Sequence, residues 1–201
     1  MSTVVVIASN NEKKAREMRS LLQGTVEIIT ADQANITMPE ETGETFEENA
    51  LLKAREAARQ SGYICVADDS GLEIDALDGG PGVRSARFAS DHGLPMTDDA
   101  NNHLVLDRLR DVPDNQRSAR FVSAVAVVSP SGEETVVRGN VEGRIGQIPK
   151  GTSGFGYDPL FIPEGHETTM AELTDEEKNE ISHRGKAFRD AVPEILRLLG
   201  R

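Results

Sequence analysis

The chain has 201 residues, 37% of them hydrophobic, and a formal net charge of −12. That length and apolar content fit one large domain or two lobes sharing a core, while the acidic balance argues against nucleic-acid binding, which relies on clustered Lys and Arg to neutralise phosphates. The lone Cys65 excludes an intrachain disulfide, no stretch nears the roughly 18 apolar residues of a spanning helix, and no signal-like segment opens the sequence, so it reads as a cytoplasmic protein without a membrane partner.

Thr3-Val4-Val5-Val6-Ile7-Ala8 is a fully apolar first strand. The polar turn Ser9-Asn10-Asn11 carries helix-capping residues. Ala15, Met18 and Leu22 then recur at helical spacing, with Lys13, Lys14, Arg16, Glu17 and Arg19 mostly on the other faces. In such a βα unit the N–H groups at the helix start can bind an anion, with Asn11 and Lys14 beside them; a plain solvated cap is the other reading. Val26-Glu27-Ile28-Ile29 forms a second strand, and Pro39-Glu40-Glu41-Thr42-Gly43 breaks regular structure. On pattern alone, Glu40 and Glu41 make a solvated charged turn. Thr45-Phe46-Glu47-Glu48 has capping-box form, and Phe46, Ala50, Ala54 and Ala57 give the next helix a small-residue face for close packing on a sheet. Lys53 reads as a surface lysine at the flank of that face, the alternative being a lean toward a pocket.

The run Tyr63-Ile64-Cys65-Val66-Ala67 is a buried strand, in which Cys65 acts as a small hydrophobe. Ser70-Gly71 is expected to end it in a turn, leaving Asp68 and Asp69 at the mouth where open α/β sheets bind ligands. Adjacent carboxylates repel unless a cation or proton intervenes. A hard divalent ion such as Mg2+, taking one or two carboxylates plus substrate phosphates, would relieve that repulsion. Leu72-Glu73-Ile74-Asp75 alternates as a half-buried strand, Asp78-Gly79-Gly80-Pro81-Gly82 is a tight loop, and Ser85-Ala86-Arg87-Phe88 starts something short and helical. Thr97-Asp98-Asp99 begins a helix through Leu104, Val105 and Leu109, ended by Asp111-Val112-Pro113. Ala119 to Val128 and Glu134 to Ile148 form an antiparallel hairpin about Ser131-Gly132, which makes the sheet mixed.

Lys150-Gly151-Thr152-Ser153-Gly154-Phe155-Gly156-Tyr157-Asp158-Pro159 is a glycine-rich loop before the strand Leu160-Phe161-Ile162. Glycine lets backbone approach a ligand, and an aromatic with little to pack on in its own loop can stack on a base; a hairpin loop with a core anchor explains the same residues. The order Lys150-Gly151-Thr152 is not that of a P-loop. Thr174-Asp175-Glu176-Glu177 is another capping box, followed by Lys178 and, about one turn later, Ser182-His183-Arg184. His183 alone reads as a surface or capping histidine. Ala187, Ala191, Ile195 and Leu198 give the last helix its buried stripe, with Pro193 restarting or kinking it.

Taken in order, six segments resemble the inosine triphosphate pyrophosphatase family, the non-canonical purine (dITP/XTP) pyrophosphatases, nearly end to end. They are Ser9-Asn10-Asn11 with Lys14; Glu40-Glu41-Thr42-Gly43 with Thr45-Phe46 and Glu48-Asn49-Ala50; Ala67-Asp68-Asp69-Ser70-Gly71-Leu72; Pro81-Gly82 with Ser85-Ala86-Arg87; Gly154-Phe155-Gly156-Tyr157-Asp158-Pro159; and Ala171-Glu172-Leu173 leading to Glu177-Lys178-Asn179 and Ser182-His183-Arg184. The resemblance implies one α/β domain over 1–201, with a long mixed central sheet and flanking helices forming two lobes around a nucleotide cleft, working as a homodimer. It also implies Mg2+-dependent hydrolysis of ITP, dITP and XTP to the monophosphate and pyrophosphate, clearing damaged nucleotides from the precursor pool.

By the same resemblance, Ser9, Asn10, Asn11, Glu12, Lys13, Lys14 and Lys53 hold the phosphates with help from Ser70. Glu40 and Asp69 are the metal ligands, Asp69 is also the proton acceptor, and Asp68 supports the ion or its water. Phe155 stacks on the base, Gly156, Tyr157 and Asp158 shape its pocket, and Lys178, His183 and Arg184 read its edge. Donors aimed at a purine keto oxygen reject adenine, whose amino group leaves them unpaired. Two positions depart from the family pattern: Asn10 stands where glycine is frequent and Arg84 where an aromatic is common. The competing readings are a non-catalytic nucleotide-binding module, which has no need of Glu40 and Asp69, and a related pyrophosphatase for pyrimidine or modified nucleotides, which lacks the Ser182-His183-Arg184 edge. An aspartyl-phosphate phosphatase would need Asp-x-Asp spacing, which Asp68-Asp69-Ser70-Gly71 does not supply.

Overall fold

The apolar first segment forms β1 (Val4–Ile7), and the rest of the sheet is laid beside it. The computed structural model describes residues 4–22 and 26–201, so Thr3 falls outside the described residues. After β1 come α1 (Glu12–Leu21), β2 (Glu27–Thr30), α2 (Phe46–Ser61) and β3 (Ile64–Ile74). Then follow α3 (Asp98–Arg108), β4 (Ser118–Val128), β5 (Glu134–Ile145), β6 (Phe161–Pro163), α4 (Asp175–Ile181) and α5 (His183–Leu198), with short 3₁₀ turns between them. The strand order is β2-β1-β3-β4-β5-β6. Strand β1 runs parallel to β2 and β3, and β6 antiparallel to β5, so the sheet is mixed as expected.

The chain divides into two compact units, Met1–Asp69 with Ser123–Gly139 and Arg184–Arg201, and Ser70–Val122 with Asn140–His183. In the first unit, Val5, Ile7 and Val66 of the sheet pack with Ala15 and Met18 of α1 and with Ala187, Phe188, Ala191 and Ile195 of α5. These are the periodic apolar positions of both helices, and their burial is what removes each helix's apolar stripe from water. In the second, Leu72, Ile74, Phe121 and Ile145 pack with Val105, Leu109, Leu160, Phe161 and Met170. The buried Arg117 closes that unit by donating to the carbonyls of Leu109, Val112 and Gly146.

Local chemistry accounts for the boundaries of α2. The Thr45 hydroxyl accepts from Glu48 N–H while the Glu48 carboxylate reaches back to Thr45 N–H, and Gly62 ends the helix at φ 68°, where a residue with a Cβ would be strained. Two expectations are corrected. Strand β3 continues through Asp68-Asp69-Ser70-Gly71 without the turn expected there, because successive strand residues face opposite sides and each carboxylate finds its own cation. Lys53 is 9% exposed, drawn in by two carboxylates rather than left on the surface. The C-terminal helical stretch is two helices, separated at Ser182, whose backbone is extended at ψ 137°, while Pro193 lies within α5. Among the described residues no helix is long and apolar enough to cross a membrane.

Candidate active site

In the first unit, α2 and β3 bring together residues that sequence spacing leaves apart. Asn49 and Lys53 lie one turn apart on the buried face of α2, and positions i and i+4 share a helix face. Both engage Asp69, Lys53 Nζ donating to Oδ1 at 3.0 Å and Asn49 Nδ2 to Oδ2 at 3.3 Å. Lys53 Nζ also donates to Glu41 Oε1 at 2.6 Å, so one ammonium bridges two carboxylates. Glu40 is exposed beside them on the same acidic turn, which places Glu41 rather than Glu40 in the Asp69 cluster.

Asp68 belongs to a second cluster. Lys14 Nζ donates to its Oδ1 at 2.7 Å and Arg184 Nε to its Oδ2 at 3.2 Å. Both the cap turn and the start of α5 therefore meet at this one carboxylate. The two aspartates are consequently held in opposite electrostatic conditions. Burial works to raise Asp68, but Lys14, Arg184 and Lys53 outweigh it and hold that carboxyl well below the usual carboxylate range. For Asp69 burial prevails, with Glu41 adding to it against Lys53 and Asn49, and the carboxyl is raised above its ordinary value. Lys53 is raised in turn, since Asp69 and Glu41 more than offset its own burial.

The cap turn is built by its own polar side chains. Asn11 N–H donates to Ser9 Oγ, Asn11 Oδ1 accepts from Lys14 N–H, and Asn10 Oδ1 accepts from Asp32 N–H at 3.0 Å, which gives the departure from glycine at position 10 a structural task. Glu12 pairs with Arg19 on the exposed face of α1. The side chain of Lys13 lies outside the described residues.

In the second unit the glycine-rich loop is held in place by side chains and backbone groups from several elements. Phe155 N–H donates to Asp158 Oδ2 at 2.8 Å, and Gly156 N–H to Asp98 Oδ2 at 2.7 Å. Asn102 Nδ2 holds the Gly156 carbonyl at 2.8 Å, and the Tyr157 hydroxyl donates to the Ser85 carbonyl at 2.8 Å. The two aromatics divide the two roles the sequence left open: Tyr157 is the buried anchor, while Phe155 is 52% exposed. Burial raises the Tyr157 hydroxyl, which stays protonated. Lys178 forms a short ion pair with the buried Asp158 and lies 5.1 Å from the centroid of the Phe155 ring, a cation–π distance. Gly154 is required here: at φ 83° a Cβ would lie 2.1 Å from Asp158 Oδ2 and 2.6 Å from Lys178 Nζ. His183 stacks on Phe121, 5.0 Å between centroids and 13° from parallel, which replaces the surface reading. Ser70 is half-buried in β3.

Sequence reasoning gave no role to Asn49, Asp98, Asn102 or Ser85. The signal for Asn49 was a polar residue on an otherwise small apolar face, one turn before Lys53; for the others the partners are too distant along the chain to read. Among the described residues no group of three or more His, Cys, Asp and Glu is arranged around a metal. The carboxylate oxygens of Glu41 and Asp69, already sharing one cation in Lys53, are nonetheless hard donors of the kind that suits a divalent ion.

The first unit thus clusters carboxylates with ammonium groups, the second braces a glycine-rich loop that carries an exposed aromatic ring, and the class defined so far is a mixed-sheet α/β protein. Comparison with known proteins narrows it. The Ham1 family profile matches residues 5–194. A protein of Nocardia farcinica named dITP/XTP pyrophosphatase is 52% identical over 202 residues, spanning 98% of this chain and 97% of that protein. One of the same name from Mycobacteroides abscessus is 48% identical, spanning 98% of each. The solved structure of a HAM1 protein from Coxiella burnetii superposes with a TM-score of 0.90 at 40% identity, covering 98% of this chain and all of that one. This chain belongs to the Ham1 family.

Proposed function

We propose that the chain is a nucleoside triphosphate pyrophosphatase, hydrolysing dITP, ITP and XTP to the monophosphate and pyrophosphate and so clearing non-canonical purines from the nucleotide pool. The observation that carries the reading is the pair of neighbouring aspartates driven in opposite directions, which is how one site separates a fixed charge from a proton acceptor. Near full-length identity to proteins named dITP/XTP pyrophosphatase supports the substrate class.

Asp69, raised above its ordinary value, accepts the proton of the water that attacks the α-phosphorus. Lys14 and Lys53 neutralise phosphate charge, with the Ser9–Lys14 turn and Ser70 supplying further donors. Asp69 and Glu40, with Glu41 alongside, would hold Mg2+, which would supply positive charge against the phosphates. At the other end of the substrate Phe155 stacks on the base, Gly156, Tyr157 and Asp158 fix the loop around it, and Lys178, His183 and Arg184 read the keto edge. In that scheme Asp68 orients Lys14 and Arg184. The homodimer and the cytoplasmic location come with the same resemblance.

The test is a product assay on purified chain with Mg2+ over dITP, ITP, XTP and ATP. The expected outcome is monophosphate and pyrophosphate from the first three, with ATP far slower. Inorganic phosphate with a diphosphate left behind refutes α–β cleavage, and binding without turnover favours the nucleotide-binding module.

A further inference from the structure

We infer that Asn49 is a positioning residue that clamps the acidic turn and Asp69 to one another independently of Lys53. The inference rests on the reading of Asp69 as the proton acceptor and adds to it a residue that touches no substrate. Asn49 is fully buried. Its amide makes three bonds at once: Oδ1 accepts from Gly43 N–H at 2.7 Å, Nδ2 reaches the Gly43 carbonyl at 3.5 Å, and Nδ2 donates to Asp69 Oδ2 at 3.3 Å. Gly43 closes the turn that carries Glu40 and Glu41, so a single side chain fixes both that turn and the carboxylate facing it.

Lys53 makes a parallel connection, to Glu41 and to the other oxygen of Asp69. The two connections differ in kind. The ammonium of Lys53 is a mobile point charge, and its contacts are the ones an incoming phosphate or divalent cation competes for. The amide of Asn49 is neutral, buried and directional, so it holds the carboxylate's orientation while Lys53 changes partners. The contact is also sterically tight, since a Cβ on Gly43 would lie 2.7 Å from Asn49 Oδ1 and 2.8 Å from Glu48 Cβ. A glycine at 43 is thus what lets the clamp close, with no demand on its backbone angles.

Two variants dissect the clamp. Asn49→Asp keeps the acceptor for Gly43 N–H and removes the donor to Asp69; Gly43→Ala leaves the amide in place and pushes on its Oδ1. For each, kcat and KM with dITP, the melting temperature, and the affinity of nucleotide-free protein for Mn2+ by water-proton relaxation are measured beside the unaltered protein. Supporting groups behind a reacting or metal-binding side chain are typically worth about ten- to a hundredfold, so kcat is expected to fall by about that factor with KM within about threefold, and Mn2+ affinity to fall as well. If Asn49→Asp does not fold, Gly43→Ala decides. Unchanged kcat in the folded variants, or a loss confined to thermal stability, overturns the inference, as does unchanged Mn2+ affinity. Failure of the unaltered protein to release pyrophosphate from dITP would instead refute the proposed function, while the Mn2+ comparison would still test the clamp.

Discussion

Replacing Asp68 by Asn should destabilise the protein by about 3 kcal/mol at pH 7, whereas the same change at Asp69 should leave stability unaltered or raise it. The Asp68 side chain is 1% exposed and pairs with Lys14 and Arg184, whose side chains are 19% and 14% exposed. Removing one partner of a buried ion pair costs about 3–5 kcal/mol because the other charge is left uncompensated; the two cations here keep some access to water, which places the loss near the lower bound. In a chain of this size each kcal/mol moves the midpoint by about 2–4 °C, so a fall of about 6–12 °C is expected.

The pH dependence gives the sign a second check. Asp68 is depressed in the folded state, so its contribution is present above the unfolded carboxylate value of about 3.9 and is lost as pH falls through the lower folded value. Urea unfolding in the presence of chelator at pH 7 and at pH 3.5 should therefore show a gap between the unaltered protein and Asp68→Asn that narrows at the lower pH. Asp69 is raised, so its charge is less favoured in the folded protein than in the unfolded chain, and a neutral replacement removes that cost. Its replacement by Asn should cost turnover instead, about 10²- to 10⁴-fold in kcat for loss of a proton acceptor, with nucleotide affinity much less affected. Equal stability of Asp68→Asn and the unaltered protein at pH 7, or a gap that widens in acid, would refute the ion-pair reasoning.

Phe155→Ala should leave the melting temperature nearly unchanged, because the ring is 52% exposed, yet raise KM for dITP by about 5- to 150-fold, the equivalent of about 1–3 kcal/mol for a base–aromatic stack; steady-state kinetics beside a thermal melt separates the two effects. Cys65 should resist alkylation. It is fully buried, and burial pushes its thiol up to about 11, so at pH 8 only about one molecule in a thousand carries the reactive thiolate; mass spectrometry after iodoacetamide treatment should find it unlabelled in native protein and labelled after denaturation.

Local sequence patterns carried much of this fold. The Thr45 and Thr174 capping boxes, the periodic faces of α1 and α5 and the mixed sheet are all present where side-chain chemistry within a few residues placed them. The continuation of β3 through two aspartates was not legible, because its cause is non-local: the cations that permit it come from 54 positions upstream, at Lys14, and 116 downstream, at Arg184. The same distance hid the choice of Glu41 over Glu40 as the carboxylate that meets Lys53. Phe155 and Tyr157 could be picked out as a pair from their glycine neighbours, but which of them anchors depends on a carbonyl 72 positions away, at Ser85.

The pairing of β1 with β3 aligns Val5, Val6 and Ile7 with Ile64, Cys65 and Val66, and two and three residues further on stand Asp68 and Asp69. Because a strand's side chains alternate, this alignment works as an address system for charge. Deleting one residue between Val66 and Asp68 would redirect the downstream chain so that Asp69 arrived where Lys14 and Arg184 wait and Ser70 where Asn49 and Lys53 wait. A nearly identical composition would then carry its acids at the wrong destinations, so what the pleat protects in this strand is the parity of its numbering as much as the kind of residue it holds.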